Sequence, residues 1–169
     1  APNHHAAMRH VGKVRQELGT RTIFNLLGPL TNPAGAKPQL LGVFGQEWLE
    51  PMAQTLKRLG SHTAWVVHGS DGMDEITTTG PSEVAILKND HITRMTIHPS
   101  DYGIPLSNHD ALVGGTPEEN AQALKRLLEG ETGAYRDIVL LNSAAFFVIA
   151  DYAAVFSQVF QIAQYFIYI

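Results

Sequence analysis

Cysteine is absent from this chain of 169 residues, which excludes a disulfide framework, thiol nucleophiles and thiolate metal ligands. Charged residues are also scarce, with 12 Lys and Arg against 16 Asp and Glu. The net charge of −4 argues against a general nucleic-acid-binding protein, because such proteins typically carry a basic excess or patch. No basic segment followed by an apolar core stands at the start. We therefore expect no cleavable signal there and a cytoplasmic location.

The last 18 residues, 152–169, include no charged residue and are rich in aromatic residues. A membrane-spanning helix needs about 20 mostly apolar residues. Gln158, Gln161 and Gln164 recur at every third position, which argues against such a span. The sequence predicts a partial α/β catalytic domain over residues 1–151, followed by an atypical apolar, aromatic tail over residues 152–169. A tail of this composition favours self-association or a protein partner.

The remaining composition, 44% apolar and 17% charged, is typical of a globular chain long enough for one domain with a core. Four short apolar runs indicate strands at residues 40–44, 63–68, 83–87 and 92–97. The last two flank Asn89-Asp90, which predicts an antiparallel hairpin. Helices are predicted over residues 4–18, 48–59 and 137–150 and from Thr116 onward. This alternation predicts an α/β fold with a mixed sheet.

Two of these helices show apolar residues at helical spacing, which predicts a face turned to the core. The first helix carries Ala7, Val11, Val14 and Leu18, and the helix after Thr116 carries Leu124, Leu127 and Leu128. Thr116 and Glu119 have the spacing of a capping box, with Pro117 at the first helical position. The helix over residues 137–150 is almost wholly apolar, interrupted only by Asn142-Ser143, and is expected to be buried.

The stretch from Arg15 to Pro33 contains an unusual density of turn-forming residues. Gly19 is suited to end the first helix in the left-handed conformation. Gly28-Pro29 and Asn32-Pro33 are turn signals, and a glycine lets the backbone approach a ligand closely because it has no Cβ. The alternative is a loop that only joins two elements.

A second stripe of the first helix holds His5, Met8, Gly12 and Arg15. At 3.6 residues per turn, His5 and Arg15 can face one cavity, with Gly12 leaving room between them. A guanidinium can bind a carboxylate with two parallel hydrogen bonds. A solvated arginine and a packing or capping histidine are the alternatives, since charged side chains are mostly exposed.

Asp74 and Glu75 follow the strand candidate 63–68 through a loop that contains Gly69 and Gly72. This places two carboxylates at the carboxyl end of a strand, where open α/β sheets commonly bind ligands. Carboxylate oxygens suit Mg²⁺, which usually takes one or two of them and completes its shell with water and substrate phosphate. The alternative is an exposed acidic turn.

Four stretches, taken in order, resemble the anthranilate phosphoribosyltransferase family. They are HHAAMRHVGKVRQELGTRTIFNLLGPLTNP at 4–33, QLLGVF at 39–44, VVHGSDGMDEIT at 66–77 and GGTPEENAQALKRLLEG at 114–130. The resemblance covers residues 1 to about 151. It implies a partial phosphoribosyltransferase or nucleoside-phosphorylase type of α/β domain with a mixed sheet. The family's N-terminal helical domain would precede Ala1, so the chain is expected to be a fragment of a longer enzyme of tryptophan biosynthesis.

The resemblance also implies substrates, a metal and site residues. Anthranilate would displace the pyrophosphate of phosphoribosyl pyrophosphate, with Mg²⁺ bound by Asp74 and Glu75. The anthranilate contacts that it implies or allows are Arg15, His5, Met8, Gly28 and Pro29. No residue is expected to act as an obligatory nucleophile. The partners expected are small molecules, not nucleic acid or membrane, and a homodimer of the full-length protein is left open.

The family's glycine-rich pyrophosphate loop, of GTGGD type, is missing from this sequence. The chain alone is therefore expected to be inactive. Two other functions stay open: a pyrimidine nucleoside phosphorylase of the same architecture, and a non-catalytic relative that binds nucleic acid or protein.

Overall fold

The computed structural model describes residues 8–32, 35–152 and 156, and for residues 8 and 9 the backbone only. The chain divides into two compact units, Ala1–Ala36 and Lys37–Ile169. This division differs in place from the predicted boundary at residue 151, and that boundary stays a prediction.

The first unit contains two helices, α1 (Met8–Leu18) and α2 (Phe24–Leu30). Gly19 follows α1 with a φ of 59°, which confirms the predicted left-handed helix end. The predicted core face of α1 is wrong for Val14 and Leu18, which are 54% and 58% exposed. The spacing predicts correctly that α1 has an apolar stripe, but spacing cannot tell whether the same chain provides the surface that covers it.

The predicted turn at Gly28-Pro29 is also wrong, because both residues lie within α2. The physical reason is that this short helix tolerates a proline near its end. Pro29 removes only the hydrogen bond to the carbonyl of Asn25. The Thr31 hydroxyl shares its proton between the carbonyls of Leu27 at 3.2 Å and Gly28 at 3.1 Å, which provides a donor for the Leu27 carbonyl at the helix end. The Gly28 carbonyl also accepts from the Thr31 amide at 3.2 Å.

The second unit is built on a four-stranded mixed sheet, as the sequence predicts. Its strands are β1 (Gln39–Gly42), β2 (Thr63–Gly69), β3 (Ser82–Lys88) and β4 (His91–Ile97). They pair in the order β1-β2-β3-β4, with β1 parallel to β2 and the other pairs antiparallel. Asn89 and Asp90 connect β3 to β4 with φ values of 48° and 67°. Two residues with positive φ form the turn that matches the twist of a hairpin.

Helices cover both faces of this sheet. Helix α3 (Leu49–Arg58) connects β1 to β2 and packs on the sheet, with Pro51 in its first turn, where a proline is tolerated. On β2, Trp65 and Val67 join the core cluster of helix α5 (Ala134–Ile149). Because side chains alternate along a strand, the buried Val66 points to the other face. Continuous burial along β2 follows from this three-layer arrangement.

Helix α4 (Pro117–Leu128) begins with the predicted capping box. The Glu119 amide donates to the Thr116 hydroxyl at 3.3 Å, and the Thr116 amide donates to the Glu119 carboxylate at 2.7 Å. The predicted buried face of α4 is confirmed only for Leu127, since Leu124 and Leu128 are 48% and 63% exposed. The three leucines share one face of the helix by their i, i+3 and i+4 spacing, but in the described part of the chain that face is covered only at Leu127.

One residue of the predicted tail belongs to the core. Phe156 is buried, stacks on Trp65 at 5.8 Å between ring centroids, and meets the Tyr102 ring edge-on at 4.7 Å. Tyr152 is exposed, and the other residues after it lie outside the described part of the chain. Within the described ranges, no helix has both the length and the apolar character needed to cross a bilayer.

Candidate functional site

The Asp74-Glu75 pair lies on the loop that connects the carboxyl end of β2 to β3. The base of the loop is closed by a hydrogen bond from the Ser70 amide to the Pro81 carbonyl at 2.9 Å. Inside it, the Gly69 amide donates to the carbonyl of Met73 at 2.9 Å. The sequence predicts correctly that these carboxylates lie on a glycine-containing loop after a buried strand.

Asp71 organises the loop from within. Its carboxylate accepts hydrogen bonds from the hydroxyls of Thr77 at 2.6 Å and Thr79 at 2.7 Å, and from the Met73 amide at 3.1 Å. Partial burial alone would raise the pKa of Asp71, but these hydrogen bonds outweigh burial and hold the pKa below its ordinary value. The ionised side chain thus ties the residues on both sides of Asp74-Glu75 together.

Asp74 rests on strand β1. A Cβ added to Gly42 would overlap the main-chain carbonyl of Asp74, so only glycine lets the loop and the strand come this close. The contact places both carboxylates at a cleft of about 440 Å³ between the sheet and α5. Its lining residues are Leu40, Gly42, Val67, Asp74, Glu75, Tyr135, Ile138, Val139, Asn142 and Ser143.

The electrostatics of the cleft favour a cation. Although the Glu75 side chain reaches solvent, partial burial raises its pKa, and the adjacent negative charge of Asp74 raises it further. Among the residues that the structure describes, neither carboxylate forms a salt bridge. A bound cation would relieve the repulsion between the two charges.

The donor set fits Mg²⁺ better than a metal that the protein encloses on all sides. Over the described ranges, no group of three or more His, Asp or Glu side chains is arranged to hold a metal. Two adjacent carboxylates at an open cleft leave most of a coordination shell to water and substrate oxygens, which is the way Mg²⁺ is usually bound.

Sequence reasoning missed another residue at this cleft, Asn142. Its side-chain oxygen accepts from the Ile76 amide at 3.0 Å, and its side-chain nitrogen donates to the carbonyls of Ile76 and Ile138 at 2.9 Å each. The only signal for it is faint: the polar pair Asn142-Ser143 in an otherwise apolar helix. Its partner could not be predicted, because Ile76 is 66 residues away in sequence.

The other predicted site residues belong to the first unit. Arg15 lies in the last turn of α1, with its guanidinium carbon 5.8 Å from the centroid of the Phe24 ring. Gly28 has open space where a Cβ would lie, and Pro29 is half-buried beside it. Met8 begins α1 but its side chain is not described, and His5 lies outside the described residues. That these residues meet Asp74-Glu75 at one site stays a prediction.

A larger cavity of about 590 Å³ lies beside α4 and the start of α5 and contains none of the predicted site residues. Two of its arginines are engaged by carboxylates: Arg126 with Glu131 at 2.8 Å and Arg136 with Asp137 at 3.5 Å. The cleft beside Asp74-Glu75 is therefore the better candidate for chemistry.

Comparisons with known proteins identify the family to which the chain is similar. A family model described as glycosyl transferase family, a/b domain, matches residues 1–167. The chain is 58% identical, over 94% of its length, to anthranilate phosphoribosyltransferase of Parvibaculum lavamentivorans, of which it covers 46%. The chain thus spans about half the length of the curated relatives that it matches.

The solved structures that the chain resembles are also anthranilate phosphoribosyltransferases. The chain superposes on anthranilate phosphoribosyltransferase of Thermus thermophilus with a TM-score of 0.87 and 45% identity, covering 95% of this chain and 47% of that one. The Saccharomyces cerevisiae enzyme in complex with PRPP and Mg matches with a TM-score of 0.84 and 28% identity, over 95% and 46% of the two chains. Its complex with 4-fluoroanthranilate matches with a TM-score of 0.87 and 26% identity, over 96% and 48%.

Proposed function

The chain belongs to the glycosyltransferase family whose α/β domain it matches along nearly its whole length, and we propose that it is part of an anthranilate phosphoribosyltransferase of tryptophan biosynthesis. The observation that carries the proposal is the Asp74-Glu75 pair, held against Gly42 at the mouth of a cleft. A yeast relative was solved with PRPP and Mg, which are the ligands that such a cleft would take.

In this proposal Asp74 and Glu75 hold Mg²⁺ together with the pyrophosphate of phosphoribosyl pyrophosphate. The bound metal would neutralise charge that develops on the leaving pyrophosphate. The bond from ribose C1 to the pyrophosphate oxygen breaks, the bond from C1 to the anthranilate nitrogen forms, and the amine loses one proton. The protein positions the two substrates and needs no nucleophile of its own.

In the same proposal, the residues that the sequence predicts as anthranilate contacts bind the second substrate. The Arg15 guanidinium would bind the substrate carboxylate with two hydrogen bonds, and the Phe24 ring beside it would fix the guanidinium plane. Gly28 and Pro29 would lie against the aromatic ring, where the absence of a Cβ leaves room. His5 and Met8 complete the proposed wall. The complete enzyme would act on these small molecules in the cytoplasm, with neither nucleic acid nor membrane as a partner.

The test uses the complete open reading frame that carries residues 1–169, beside this chain alone. Anthranilate is fluorescent, so its consumption with phosphoribosyl pyrophosphate and Mg²⁺ is followed directly. We expect turnover by the complete protein and none by this chain, which lacks a GTGGD-type loop. Phosphorolysis of thymidine by the complete protein in place of this reaction would identify a pyrimidine nucleoside phosphorylase. Salt-dependent retention of nucleic acid on filters would identify a binding protein.

A further inference from the structure

We propose that Asn142 is a positioning residue that holds the Asp74-Glu75 loop at its working place from helix α5, an inference that rests on the function proposed above. Asn142 does not reach the reacting atoms in this scheme. It acts through the backbone of Ile76, the residue directly after the second carboxylate.

The amide of Asn142 pairs with both main-chain groups of one residue. It accepts from the Ile76 N–H at 3.0 Å and donates to the Ile76 carbonyl at 2.9 Å. This pairing resembles the way a neighbouring β-strand engages a residue, although here one side chain of a helix provides both partners. Ile76 is fully buried, so water cannot replace either hydrogen bond without entering the core.

The orientation of the Asn142 side chain is fixed by a third hydrogen bond. Its second N–H donates to the carbonyl of Ile138, one turn earlier in α5, at 2.9 Å. Only one assignment of the amide oxygen and nitrogen satisfies all three partners, because the two carbonyls need donors and the N–H needs an acceptor. The helix therefore presents a rigid amide to the loop.

The hydrogen bond to the Ile76 N–H acts on the peptide unit that Ile76 shares with Glu75. Fixing that peptide plane fixes the backbone torsion from which the Glu75 side chain leaves. Between the two acidic residues, the main-chain carbonyl of Asp74 packs against Gly42. Each carboxylate thus stands beside a peptide unit that is held from outside the loop, one by strand β1 and one by helix α5.

An apolar residue of equal size would fill the space of Asn142 but could not hold either group of Ile76. Asn142 also lines the same cleft as the two carboxylates, so a loop released from it has open space into which it can move. The geometry points to the direction of the effect: loss of the amide weakens metal binding before it unfolds the domain. Outer partners of metal ligands typically change metal affinity or activity about 10- to 100-fold when they are lost.

The first experiment measures binding of Mn²⁺, as a paramagnetic substitute for Mg²⁺, to this chain by electron paramagnetic resonance. Asn142→Leu keeps the size of the side chain and removes all three hydrogen bonds, and we expect its Mn²⁺ affinity to fall about tenfold. Leu140→Ala is the matched control, because Leu140 is fully buried in the same helix and its truncation destabilises the core without removing the amide. Asp74→Asn and Glu75→Gln report whether the bound Mn²⁺ lies at the predicted carboxylates.

The second experiment uses the complete enzyme and compares KM values. Asn142→Leu should raise KM for phosphoribosyl pyrophosphate at limiting Mg²⁺ and leave KM for anthranilate unchanged. Asn142→Gln, which keeps the amide on a longer arm, should restore part of the loss. This variant also keeps the inference testable if Asn142→Leu does not fold.

The outcomes separate this inference from the function on which it rests. If Asn142→Leu binds Mn²⁺ as the unmodified chain does while Asp74→Asn and Glu75→Gln do not, the positioning role is wrong and the proposed function stands. If Leu140→Ala weakens Mn²⁺ binding as much as Asn142→Leu, the effect is one of stability and the positioning role is also wrong. Unchanged binding in both carboxylate variants would overturn the proposed metal site and the inference together.

Discussion

The main-chain carbonyl of Asp74 lies directly over Cα of Gly42, in space that a Cβ would occupy. The contact is between backbone atoms only, and it joins the acidic loop to β1. A substitution of Gly42 therefore tests whether this contact fixes the position of the loop.

Gly42→Ala should displace the Asp74-Glu75 loop from β1. The added methyl group overlaps backbone, which cannot turn aside as a flexible side chain can. We expect a loss of about 1–3 kcal/mol in the free energy of unfolding and weaker Mn²⁺ binding, measured by urea titration and paramagnetic resonance. Gly12→Ala in α1 is the stability control, since open space surrounds that position. Wild-type Mn²⁺ affinity in Gly42→Ala would show that the contact does not place the loop.

Gly28→Ala should weaken anthranilate binding without lowering the stability of the chain. Apart from its chain neighbours and the backbone of its own helix, the methyl group meets no atom of the described residues within 4 Å. Alanine favours a helix by up to about 1 kcal/mol over glycine, which offsets the constraint that Pro29 places on the residue before it. Thermal unfolding should therefore be unchanged or slightly higher. In the complete enzyme, KM for anthranilate should rise at least several-fold while KM for phosphoribosyl pyrophosphate stays the same. An unchanged KM for anthranilate would remove Gly28 from the proposed substrate wall.

Asp71 should make the domain sensitive to acid. Its pKa in the folded chain lies below the ordinary value of 3.8. Its contribution to the free energy of unfolding is therefore fully present above pH 3.8 and is lost as the pH falls through the folded pKa. Asp71→Asn should lower stability at neutral pH and flatten the acid dependence, measured as urea midpoints from pH 7 downward.

Thr79→Ala provides a graded version of the same test. It removes one of the two hydroxyl groups that donate to the Asp71 carboxylate, so the acid dependence should lie between those of the wild type and Asp71→Asn. An Asp71→Asn variant that retains the full wild-type acid dependence would assign that dependence to other carboxyl groups.

Phe156→Ala should destabilise the second unit strongly. Phe156 is buried against Trp65 and Tyr102, and truncation of a buried phenylalanine typically costs about 3–5 kcal/mol. Trp65 fluorescence, in a Trp48→Phe background because the chain has 2 tryptophans, should shift to longer wavelength. Phe156→Leu keeps most of the apolar contact and should recover most of the stability. A chain that ends at Asp151 should resemble Phe156→Ala, and unchanged stability of that chain would contradict a core role.

The features that the sequence predicts well depend on residues close together in the chain. The Asn89-Asp90 hairpin and the Thr116–Glu119 capping box are set by local backbone preferences and by partners within three residues. The same applies to Gly19 at the end of α1. Such features form wherever the local chain allows them, so composition and spacing are enough to predict them.

The predictions fail where the structure of a residue depends on a partner distant in sequence, or on the length and surroundings of its helix. Gly28-Pro29 carries a strong turn signal, yet the hydroxyl of Thr31 and the short length of α2 allow both residues to remain helical. Asn142 looks like a simple polar interruption until Ile76 is brought to it. Phe156 belongs by composition to an unusual tail, although Trp65 and Tyr102 provide a pocket for it. Composition and spacing alone do not reveal these contacts.

The hydrogen bonds between Ile76 and Asn142 join segments that are synthesised far apart in time. When the loop has emerged from the ribosome, the nascent chain contains both acidic residues but not yet helix α5. Until α5 emerges, the loop can form its internal hydrogen bonds to Asp71 and its contact with Gly42, but it lacks both hydrogen bonds to Asn142. The acidic loop is therefore fully anchored only after Asn142 has been synthesised, and a chain truncated before Asn142 would contain the acidic pair but not the side chain that holds Ile76.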